Sequence, residues 1–236
     1  MYKRQALTGN TAFTATNDFD NVQNIEAITL GNTNTAVTIV TQDTLVAAAA
    51  TLTLTNAANS GALTFNGGAE TNGAFNITGG SGNDNIMGGT GNDTLIGGSG
   101  DDALTGSRGN DSIAGGLGAD TFSFGVGDSG LALGAIDTVA DFTTGVDHLD
   151  FGGPAGTIFN FSDLLGVPVP NYNLALSAAN VAMSFAANLG LSLPYVFATD
   201  TTDGWVFVDN DLDGIADLSI ELTGVNSIVA TDIAGV

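Results

Sequence analysis

Short apolar runs separated by polar turns fill the first third of the chain. Between residues 6 and 78 these runs are NIEAITL, AVTIV, TLTLT, ALTF and AFNIT, with Asn, Gly and Thr between them. They recur every ~10 to 13 residues, a cadence typical of strands in a solenoid or another stacked all-β array. We expect this region either to continue as one stack into the residues that follow or to form a separate sandwich.

From Gly79 to Ser123 the pattern changes to a strict period of nine residues. Five units follow one another without an insertion: GGSGNDNIM, GGTGNDTLI, GGSGDDALT, GSRGNDSIA and GGLGADTFS. Each unit predicts a six-residue turn and a three-residue strand whose middle side chain points inward, because side chains alternate between faces along a strand. The predicted inward residues are Ile86, Leu95, Leu104, Ile113 and Phe122. Two units make one coil, so alternate turns should stack on the same edge about 4.8 Å apart.

One helix and a group of strands are predicted after the repeats. Leu174 to Asn188 has helical spacing, with Ala178, Val181, Ala182, Phe185 and Leu189 on one apolar stripe, and we expect it to cover the end of the roll. The segments LPYVFAT, WVFVD and LSIELTGV alternate around turn signals and predict a β-meander.

These patterns predict an all-β fold built around a parallel β-roll, a form of β-solenoid. An N-terminal solenoid-like or stacked-strand region and a C-terminal β-meander with one short helix are expected to flank it. The predicted boundaries are 6–78 for the Thr, Asn and Ala-rich β region, 79–123 for the roll, and 124–236 for a C-terminal capping region. Residues 1–5 differ in composition from the rest and are expected to be a non-native leader, with an ordinary chain start as the alternative.

The strongly acidic charge of the chain limits the partners that it can bind. The chain has 25 acidic residues against three cations, for a formal net charge of -22. This balance argues against binding to nucleic acid or to anionic membranes, both of which need basic patches. No apolar run approaches the ~18 residues of a membrane helix, so direct membrane insertion is not expected. There is no Cys, so no disulfide stabilises the fold.

The acids of the nonapeptides should form two ladders. Alternate stacking places Asp84, Asp102 and Asp120 on one edge, and Asp93 and Asp111 on the other. Neighbouring carboxylates at that spacing repel by roughly 1 kcal/mol even in water. A hard divalent ion that takes six or more oxygen ligands relieves this repulsion, and Ca²⁺ tolerates an irregular cage better than Mg²⁺. We therefore expect about three or more Ca²⁺ ions between stacked turns.

The candidate ligands come from the turn half of each unit, where glycines let carbonyl oxygens approach closely. Turn by turn they are Gly79, Gly80, Ser81, Gly82 and Asp84; Gly88, Gly89, Thr90, Gly91 and Asp93; Gly97, Gly98, Ser99, Gly100 and Asp102; Gly106, Arg108, Gly109 and Asp111; and Gly115, Gly116, Leu117, Gly118 and Asp120. Ser107 replaces the second Gly of the fourth unit, so the site that uses Asp111 is expected to be the weak member. A degenerate unit precedes the array, with Phe75 in place of Asp, and should stack without a full site.

The nonapeptide GGxGxDxUx resembles the calcium-binding repeat of RTX (repeats-in-toxin) proteins. The resemblance extends into IDTVADFTTGVDHLDF, which is similar to the closing coils of serralysin-type and other RTX C-terminal domains. The matching residues are Asp137, Asp141, Phe142, Gly145, Asp147, Leu149 and Asp150. The resemblance implies that this segment caps the roll and that Asp137 and Asp141 bind calcium, with solvation of an exposed edge as the alternative role.

A second acidic loop lies near the C-terminus. In DNDLDGIAD, Asp209, Asp211 and Asp213 occupy positions one, three and five of an EF-hand-like start, Gly214 follows at six, and Asp217 lies further on. Position twelve is Ile220, where an EF-hand needs a bidentate Glu. We therefore interpret it as an acidic hairpin loop and a candidate calcium site.

The sequence contains few of the side chains and motifs that catalysis requires. His148 is the single His, and neither an HExxH zinc motif nor a GxSxG nucleophile elbow occurs. We predict that the chain is not an enzyme.

Three functions remain, and they share a secreted, extracellular or cell-surface location. The resemblance favours a calcium-binding module that folds on extracellular calcium and forms the C-terminal export region of a larger protein, with the type I secretion ABC machinery as its partner. An acid followed by apolar residues, Asp232-Ile233 and then Val236, is similar to such export termini. The alternatives are the C-terminal part of an S-layer or adhesin-like surface protein, which could self-assemble, and the non-catalytic tail of a secreted hydrolase or epimerase.

Overall fold

The computed structural model describes residues 4–7, 14–15, 24–31, 34–43, 45–152, 161–163, 171–189, 191, 194–200 and 202–234. The expectations for residues 1–3 and for Val236 therefore lie outside the described residues. The chain divides into two compact units, Met1–Phe122 and Ser123–Val236.

The first unit is a stack of short parallel strands. They are β1 (Arg4–Leu7), β2 (Thr14–Ala15), β3 (Ala27–Leu30), β4 (Val37–Val40), β5 (Thr51–Thr55), β6 (Leu63–Asn66), β7 (Ala74–Thr78), β8 (Asn85–Met87), β9 (Thr94–Ser99), β10 (Ala103–Thr105), β11 (Ser112–Leu117) and β12 (Thr121–Ser123). The odd-numbered strands follow one another in one sheet and the even-numbered strands in a second. Successive strands thus alternate between two parallel sheets, as the predicted β-roll requires.

The register shows how much chain each coil uses. In the repeats Thr94 pairs with Ser112, 18 residues later, which is two nonapeptides. Nearer the N-terminus the coils are wider, and Val37 pairs with Leu63, 26 residues later. β7 pairs in parallel with β9, with Ile77 beside Leu95, so the N-terminal strands and the repeats share one sheet.

Apolar side chains fill the space between the two sheets. The predicted inward residues Ile86, Leu95, Leu104, Ile113 and Phe122 are all fully buried, which confirms the inward position of the nonapeptide strands. A three-residue strand buries one such side chain. The longer β5 buries Leu52 and Leu54 and exposes the three Thr residues beside them. The wide coils therefore bury more side chains per strand than the three-residue strands of the repeats do.

The second unit contains the one helix of the described residues and a mixed sheet. Its elements are β13 (Asp137–Val139), β14 (His148–Asp150), β15 (Phe161–Asp163), α1 (Tyr172–Asn188), β16 (Tyr195–Thr199), β17 (Gly204–Val208), β18 (Leu218–Leu222), a 3-10 turn (Ala230–Asp232) and β19 (Ile233–Ala234). β16, β17 and β18 pair antiparallel, which confirms the meander. β13 and β15 extend this sheet in parallel, and β14 pairs in parallel with β19.

The helix begins two residues earlier than predicted, and its buried face is not the predicted one. Asn171 caps it by accepting a hydrogen bond from the Leu174 N–H at 3.1 Å. The core of the second unit receives Tyr172, Ala175, Ala179, Met183 and Ala186. Most of the predicted stripe lies outside this core: Val181 is 68% exposed and Phe185 67% exposed, whereas Ala182 packs against the core. The expectation that this stripe is the covering face was wrong, because the helix has a second apolar face and that one is buried. Among the described residues, no helix is long and apolar enough to cross a membrane.

Asp232 is built into the second unit. Its carboxylate accepts hydrogen bonds from the Thr144 hydroxyl at 2.5 Å, from the Gly145 N–H at 2.8 Å and from the Val229 N–H at 2.9 Å. The side chain is 1% exposed. The acid-apolar pair near the end of the chain is therefore part of the folded structure.

Candidate metal centre

The nonapeptide carboxylates stack in two ladders. On one edge the backbone N–H of Asp84 donates to Asp102 Oδ1 at 2.7 Å, and that of Asp102 donates to Asp120 Oδ1 at 2.9 Å. On the other edge the N–H of Asp93 donates to Asp111 Oδ1 at 2.7 Å. All five side chains are at most 2% exposed. The structure thus places each acid directly beside its counterpart 18 residues away.

The second carboxylate oxygen points into the turn. Asp84 Oδ2 accepts from the Gly80 N–H at 2.7 Å, and Asp93 Oδ2 accepts from the Gly89 N–H at 2.8 Å. Asp102 Oδ2 is buried and has no hydrogen-bond partner. A buried, unsatisfied carboxylate oxygen is costly, because the charge has lost its water and gained nothing in return.

The first glycine of each turn leaves room for oxygens that converge. A Cβ on Gly97 would lie 2.6 Å from the carbonyl oxygen of Gly115 and closer still to Asp102 Oδ2. A Cβ on Gly79 would likewise meet the Gly97 carbonyl oxygen and Asp84 Oδ2 within 3.0 Å.

The other edge repeats this arrangement. A Cβ on Gly88 would meet Asp93 Oδ2 and the Gly106 carbonyl oxygen within 3.0 Å. Three pairs of turns therefore bring a carboxylate oxygen from one turn close to a carbonyl oxygen from the next turn on the same edge.

This donor set fits calcium. Carboxylate and carbonyl oxygens are the hard ligands that Ca²⁺ takes in numbers of six to eight. The sequence has one cationic side chain after residue 4, Arg108, and that side chain is exposed. Protein cations therefore do not neutralise the described ladders.

Burial shifts the acids toward their protonated forms. The pKa of Asp102 is raised to about 7, mainly by desolvation and in smaller part by the charges of Asp84 and Asp120, although the hydrogen bond from the Asp84 N–H lowers it. Desolvation also raises the pKa of Asp93 to about 6, with a smaller contribution from the charge of Glu70. The pKa of Asp84 is raised by burial as well. Without a cation, the fold thus favours protons on these ladders.

The remaining turn positions hold the coils together. At the third position, the N–H groups of Ser81 and Ser99 donate to carbonyl oxygens of the preceding turn, those of Asn59 and Gly80, at 2.9 and 3.0 Å. The Thr90 N–H donates in the same way to the Glu70 carbonyl oxygen at 3.2 Å. At the same position of the fourth and fifth turns, the Arg108 and Leu117 side chains are exposed. Fourth-position glycines pack against the backbone of the coil before, as Gly100 does against Gly82. Gly82, Gly91, Gly109 and Gly118 make the same approach to the preceding coil.

The second turn position explains the odd fourth unit. Gly98 and Gly116 have φ values of 122° and 103°, and Ser107 at the equivalent position has a φ of 70°. This left-handed region suits Gly and strains a residue that carries a Cβ. The fourth turn thus shares the positive φ of the third and fifth turns, at a conformational cost.

Sequence reasoning missed a second, outer ladder at the fifth turn position. Asn83 Oδ1 accepts from the Asp101 N–H at 3.1 Å, and Asp101 Oδ1 accepts from the Ala119 N–H at 2.9 Å. Asn92 Oδ1 accepts from the Asn110 N–H at 3.1 Å on the other edge. Four of the five units have Asn or Asp at this position, but these residues are equally typical of ordinary turns.

Glu70 was also missed. Its side chain is fully buried. The carboxylate accepts from the N–H groups of Gly73, Asn72 and Val46 at 3.0, 3.2 and 3.4 Å. Glu70 therefore supplies a buried carboxylate in the coil where Phe75 takes the place of the repeat Asp.

The structure separates the other predicted acids. Asp137 is fully buried, and its N–H donates to the Ser129 hydroxyl at 2.8 Å. Asp141 is half-buried. Among the described residues, no set of three acidic or His side chains gathers around either of them.

The acidic loop between β17 and β18 does bring ligand atoms together. Oxygens of Asp209, Asp211 and Asp217 lie within 4.8 Å of one another. Asp209 is buried, which raises its pKa, and its Oδ2 accepts from the Gly214 N–H at 2.8 Å. Asp213 is not in this group, and its carboxylate accepts from the Ile215 N–H at 2.9 Å. The third member of the group is therefore Asp217, at position nine of the loop, and not Asp213, at position five.

Comparison with known families identifies the repeats. The family model for the RTX calcium-binding nonapeptide repeat, which holds four copies, matches residues 78–113 and again residues 96–131. A search of the curated proteins found no match to the chain. Among solved structures, the chain is similar to the solution structure of the AlgE6R3 subunit from the Azotobacter vinelandii mannuronan C5-epimerase. The identity is 24%, the TM-score is 0.45, and the match covers 68% of this chain and 77% of that chain.

Proposed function

We propose that the RTX calcium-binding repeats of residues 78–131 act as a calcium-dependent folding switch in a secreted or cell-surface protein. The observation that carries this proposal is the buried carboxylate ladder, in which Asp102 Oδ2 has no hydrogen-bond partner. A coil that buries carboxylates without cations is unstable at neutral pH, and it becomes stable when a divalent ion occupies the ladder.

Three sites follow from the converging oxygens. Asp84 with the Gly97 carbonyl, and Asp102 with the Gly115 carbonyl, would hold ions on one edge. Asp93 with the Gly106 carbonyl would hold one on the other edge. The bound calcium supplies the positive charge that the ladders lack. Around it the chain's own residues fix the carboxylates through backbone N–H donors and exclude water.

The switch responds to the calcium concentrations found outside cells. Extracellular calcium modules bind with dissociation constants of roughly 0.1–1 mM. Where calcium is far below that range, the repeats are expected to stay unfolded and suited to passage through an export channel. Where it is above, binding to the folded state alone adds stability. In this role the chain forms the C-terminal region of an exported protein and binds calcium.

Hydrogen exchange tests the switch at the repeats themselves. We expect peptides from residues 79–123 to exchange freely in chelator and to become protected as calcium is added. Protection of these peptides in excess chelator would overturn the proposal. Asp102→Asn should raise the calcium midpoint, while Asp128→Asn, which changes an acid outside the ladders, serves as the matched control.

The loop between β17 and β18 is proposed as a further calcium site, held by Asp209, Asp211 and Asp217. Its support is the approach of the three carboxylates within 4.8 Å. In calorimetric titrations of the folded chain, Asp217→Asn should bind one calcium ion fewer than the wild type, and Asp213→Asn should bind the same number. Equal stoichiometry in both variants would remove the loop from the list of sites.

Export needs its own test. A reporter fused ahead of residues 124–236 is expected to be secreted by cells that carry a type I system and to be retained by cells that lack it. Equal secretion by both would separate the folding switch from this export route.

A further inference from the structure

The turn before the first nonapeptide holds a buried amide with an unsatisfied donor. Asn56 is 1% exposed, and its Oδ1 accepts a hydrogen bond from Asn59 Nδ2 at 2.6 Å. Its own Nδ2 is buried and has no hydrogen-bond partner among the described residues. A buried N–H group without an acceptor is costly, so the place that this amide occupies calls for an explanation.

Backbone hydrogen bonds place Asn56 at the first position of its turn. The N–H of Asn56 donates to the carbonyl oxygen of Thr78 in the next coil at 2.9 Å. In the same way, the N–H of Gly79 donates to the carbonyl oxygen of Ile96 at 2.8 Å. Thr78 and Ile96 are themselves paired across neighbouring strands. Asn56 is therefore the counterpart of Gly79, one coil earlier on the same edge.

The coil that contains Asn56 has a Leu in place of the repeat Asp. Asp84 Oδ1 accepts from the Leu63 N–H at 2.6 Å, as Asp102 Oδ1 accepts from the Asp84 N–H at 2.7 Å. Leu63 thus stands where the next acid of the ladder would come, and its side chain is fully buried. The ladder of carboxylates on this edge begins at Asp84.

Asn56 occupies the position at which the repeats leave room for an ion. A Cβ on Gly79 would meet Asp84 Oδ2 and the Gly97 carbonyl oxygen, the ligands of the proposed first ion, within 3.0 Å. Asn56 carries a side chain at the equivalent position. Its Nδ2 lies against the first turn, 3.2 Å from where a Cβ on Gly80 would be. Because this nitrogen carries two N–H donors, the amide presents partial positive charge to that turn without an ion.

The ladder on the other edge ends in a comparable way. Gly67 is the counterpart of Gly88, since the N–H of each donates to a carbonyl oxygen of the next coil, at 2.8 and 2.9 Å. A Cβ on Gly88 would meet Asp93 Oδ2, whereas a Cβ on Gly67 would meet Cε2 of the Phe75 ring at 2.5 Å. A ring carbon thus stands where the repeats place a carboxylate oxygen. Both ladders end at a side chain that fills the space beside a turn.

We propose that Asn56 is the end-stop of the calcium ladder on the Asp84 edge, an amide that takes the place of a further ion. This inference rests on the proposed calcium sites of the repeats. It adds that one neutral side chain sets where calcium dependence begins along the chain, at Gly79. The wide coils before it can then keep their structure where calcium is scarce, and the repeat turns order on them as ions bind.

Asn56→Asp tests the end-stop, because it exchanges the NH₂ group for an oxygen of similar size. A carboxylate at this position should face the oxygens of the first turn and hold a further ion with them. We expect calorimetric titration to count one calcium ion more than in the wild type. Asn66→Asp is the matched control, since it adds the same charge to an exposed side chain of the same unit and should leave the count unchanged.

Hydrogen exchange gives a second readout of the same change. In chelator, peptides from residues 51–66 should exchange at least ~10-fold faster in Asn56→Asp than in the wild type, because the added carboxylate is buried without a cation. Calcium should restore their protection. If Asn56→Asp shows the ion count and the exchange rates of Asn66→Asp, the amide does not stand at an ion position and the proposal is overturned.

The double variant Asn56→Asp/Asp84→Asn separates the end-stop from a general folding defect. It has the net charge of the wild type, with one acid moved a coil toward the N-terminus. Removing the facing carboxylate should restore protection of residues 51–66 in chelator. If these peptides stay unprotected in both variants, with and without calcium, Asn56 has only a structural role and the proposal fails. Failure of the folding switch itself differs, because wild-type peptides from residues 79–123 would then be protected in chelator.

Discussion

Replacing Gly97 by Ala is expected to block one calcium site by filling the space where two oxygens converge. The added Cβ would lie 2.6 Å from the Gly115 carbonyl oxygen, about 0.8 Å short of the 3.4 Å at which ordinary van der Waals contact begins, and nearer still to Asp102 Oδ2. Gly97 does not have a left-handed φ, so the substitution adds volume without backbone strain of that kind.

Two contributions set the size of the effect. Overpacking of this kind costs about 1–3 kcal/mol. Loss of one ion removes a further ~1.4–2.7 kcal/mol of stability at calcium concentrations ten to a hundred times the dissociation constant. Together they give a loss of roughly 2–6 kcal/mol. For a unit of this size that corresponds to a fall in melting temperature of about 10 °C or more.

Thermal unfolding in saturating calcium, followed by circular dichroism, measures the effect. Gly68→Ala is the matched control, because a Cβ there meets only the side-chain ends of Asn66 and Met87 at 3.2 and 3.4 Å. We expect that control to be neutral or slightly stabilising. If Gly97→Ala melts at the same temperature and shows the same calcium midpoint as Gly68→Ala, the converging oxygens do not form a site.

Three further outcomes are expected. Ser107→Gly should stabilise the first unit by ~1 kcal/mol, since it relieves a left-handed residue; a melting temperature that is unchanged or lowered would contradict this. In calcium-free buffer the folded state holds extra protons between the ordinary carboxyl pKa of 3.8 and the raised pKa of Asp102 at about 7, so its stability should fall as the pH rises through that range. Melts that improve from pH 5 to pH 7.5 without calcium would show the opposite sign. Glu70→Ala should cost ~1–3 kcal/mol for each buried N–H that loses its acceptor, those of Gly73 and Val46. Glu26→Ala, at a half-buried acid of the same unit, is the control in the same denaturant titration.

The repeats could be predicted from sequence because every coil has the same length. A fixed period of nine sets which residue points inward and which acids stack, so the burial of Leu104 and the pairing of Asp84 with Asp102 follow from counting. The wider coils have no fixed period, and Glu70 could not be placed by counting from the nonapeptides.

The helix shows a second limit of sequence patterns. Its two faces are both apolar: Tyr172 and Met183 lie on the buried face together with three Ala residues, and Val181 and Phe185 lie on the exposed face. Helical spacing shows which residues share a face, but it does not decide which of two apolar faces is buried. Packing decides, because the buried face joins one hydrophobic cluster with Phe207 of the sheet.

The change in coil width along the first unit has a consequence for the order in which the coils fold. Each coil of a solenoid touches only its neighbours, so structure can spread from one coil to the next. The wide coils bury more side chains per strand, and between residues 44 and 83 they include a single acid, Glu70, so their assembly does not wait for ions. Once formed, β7 offers an ordered edge on which β9 can pair. We therefore expect the wide coils to fold first and the roll to lengthen from them toward the C-terminus as each turn binds its ion.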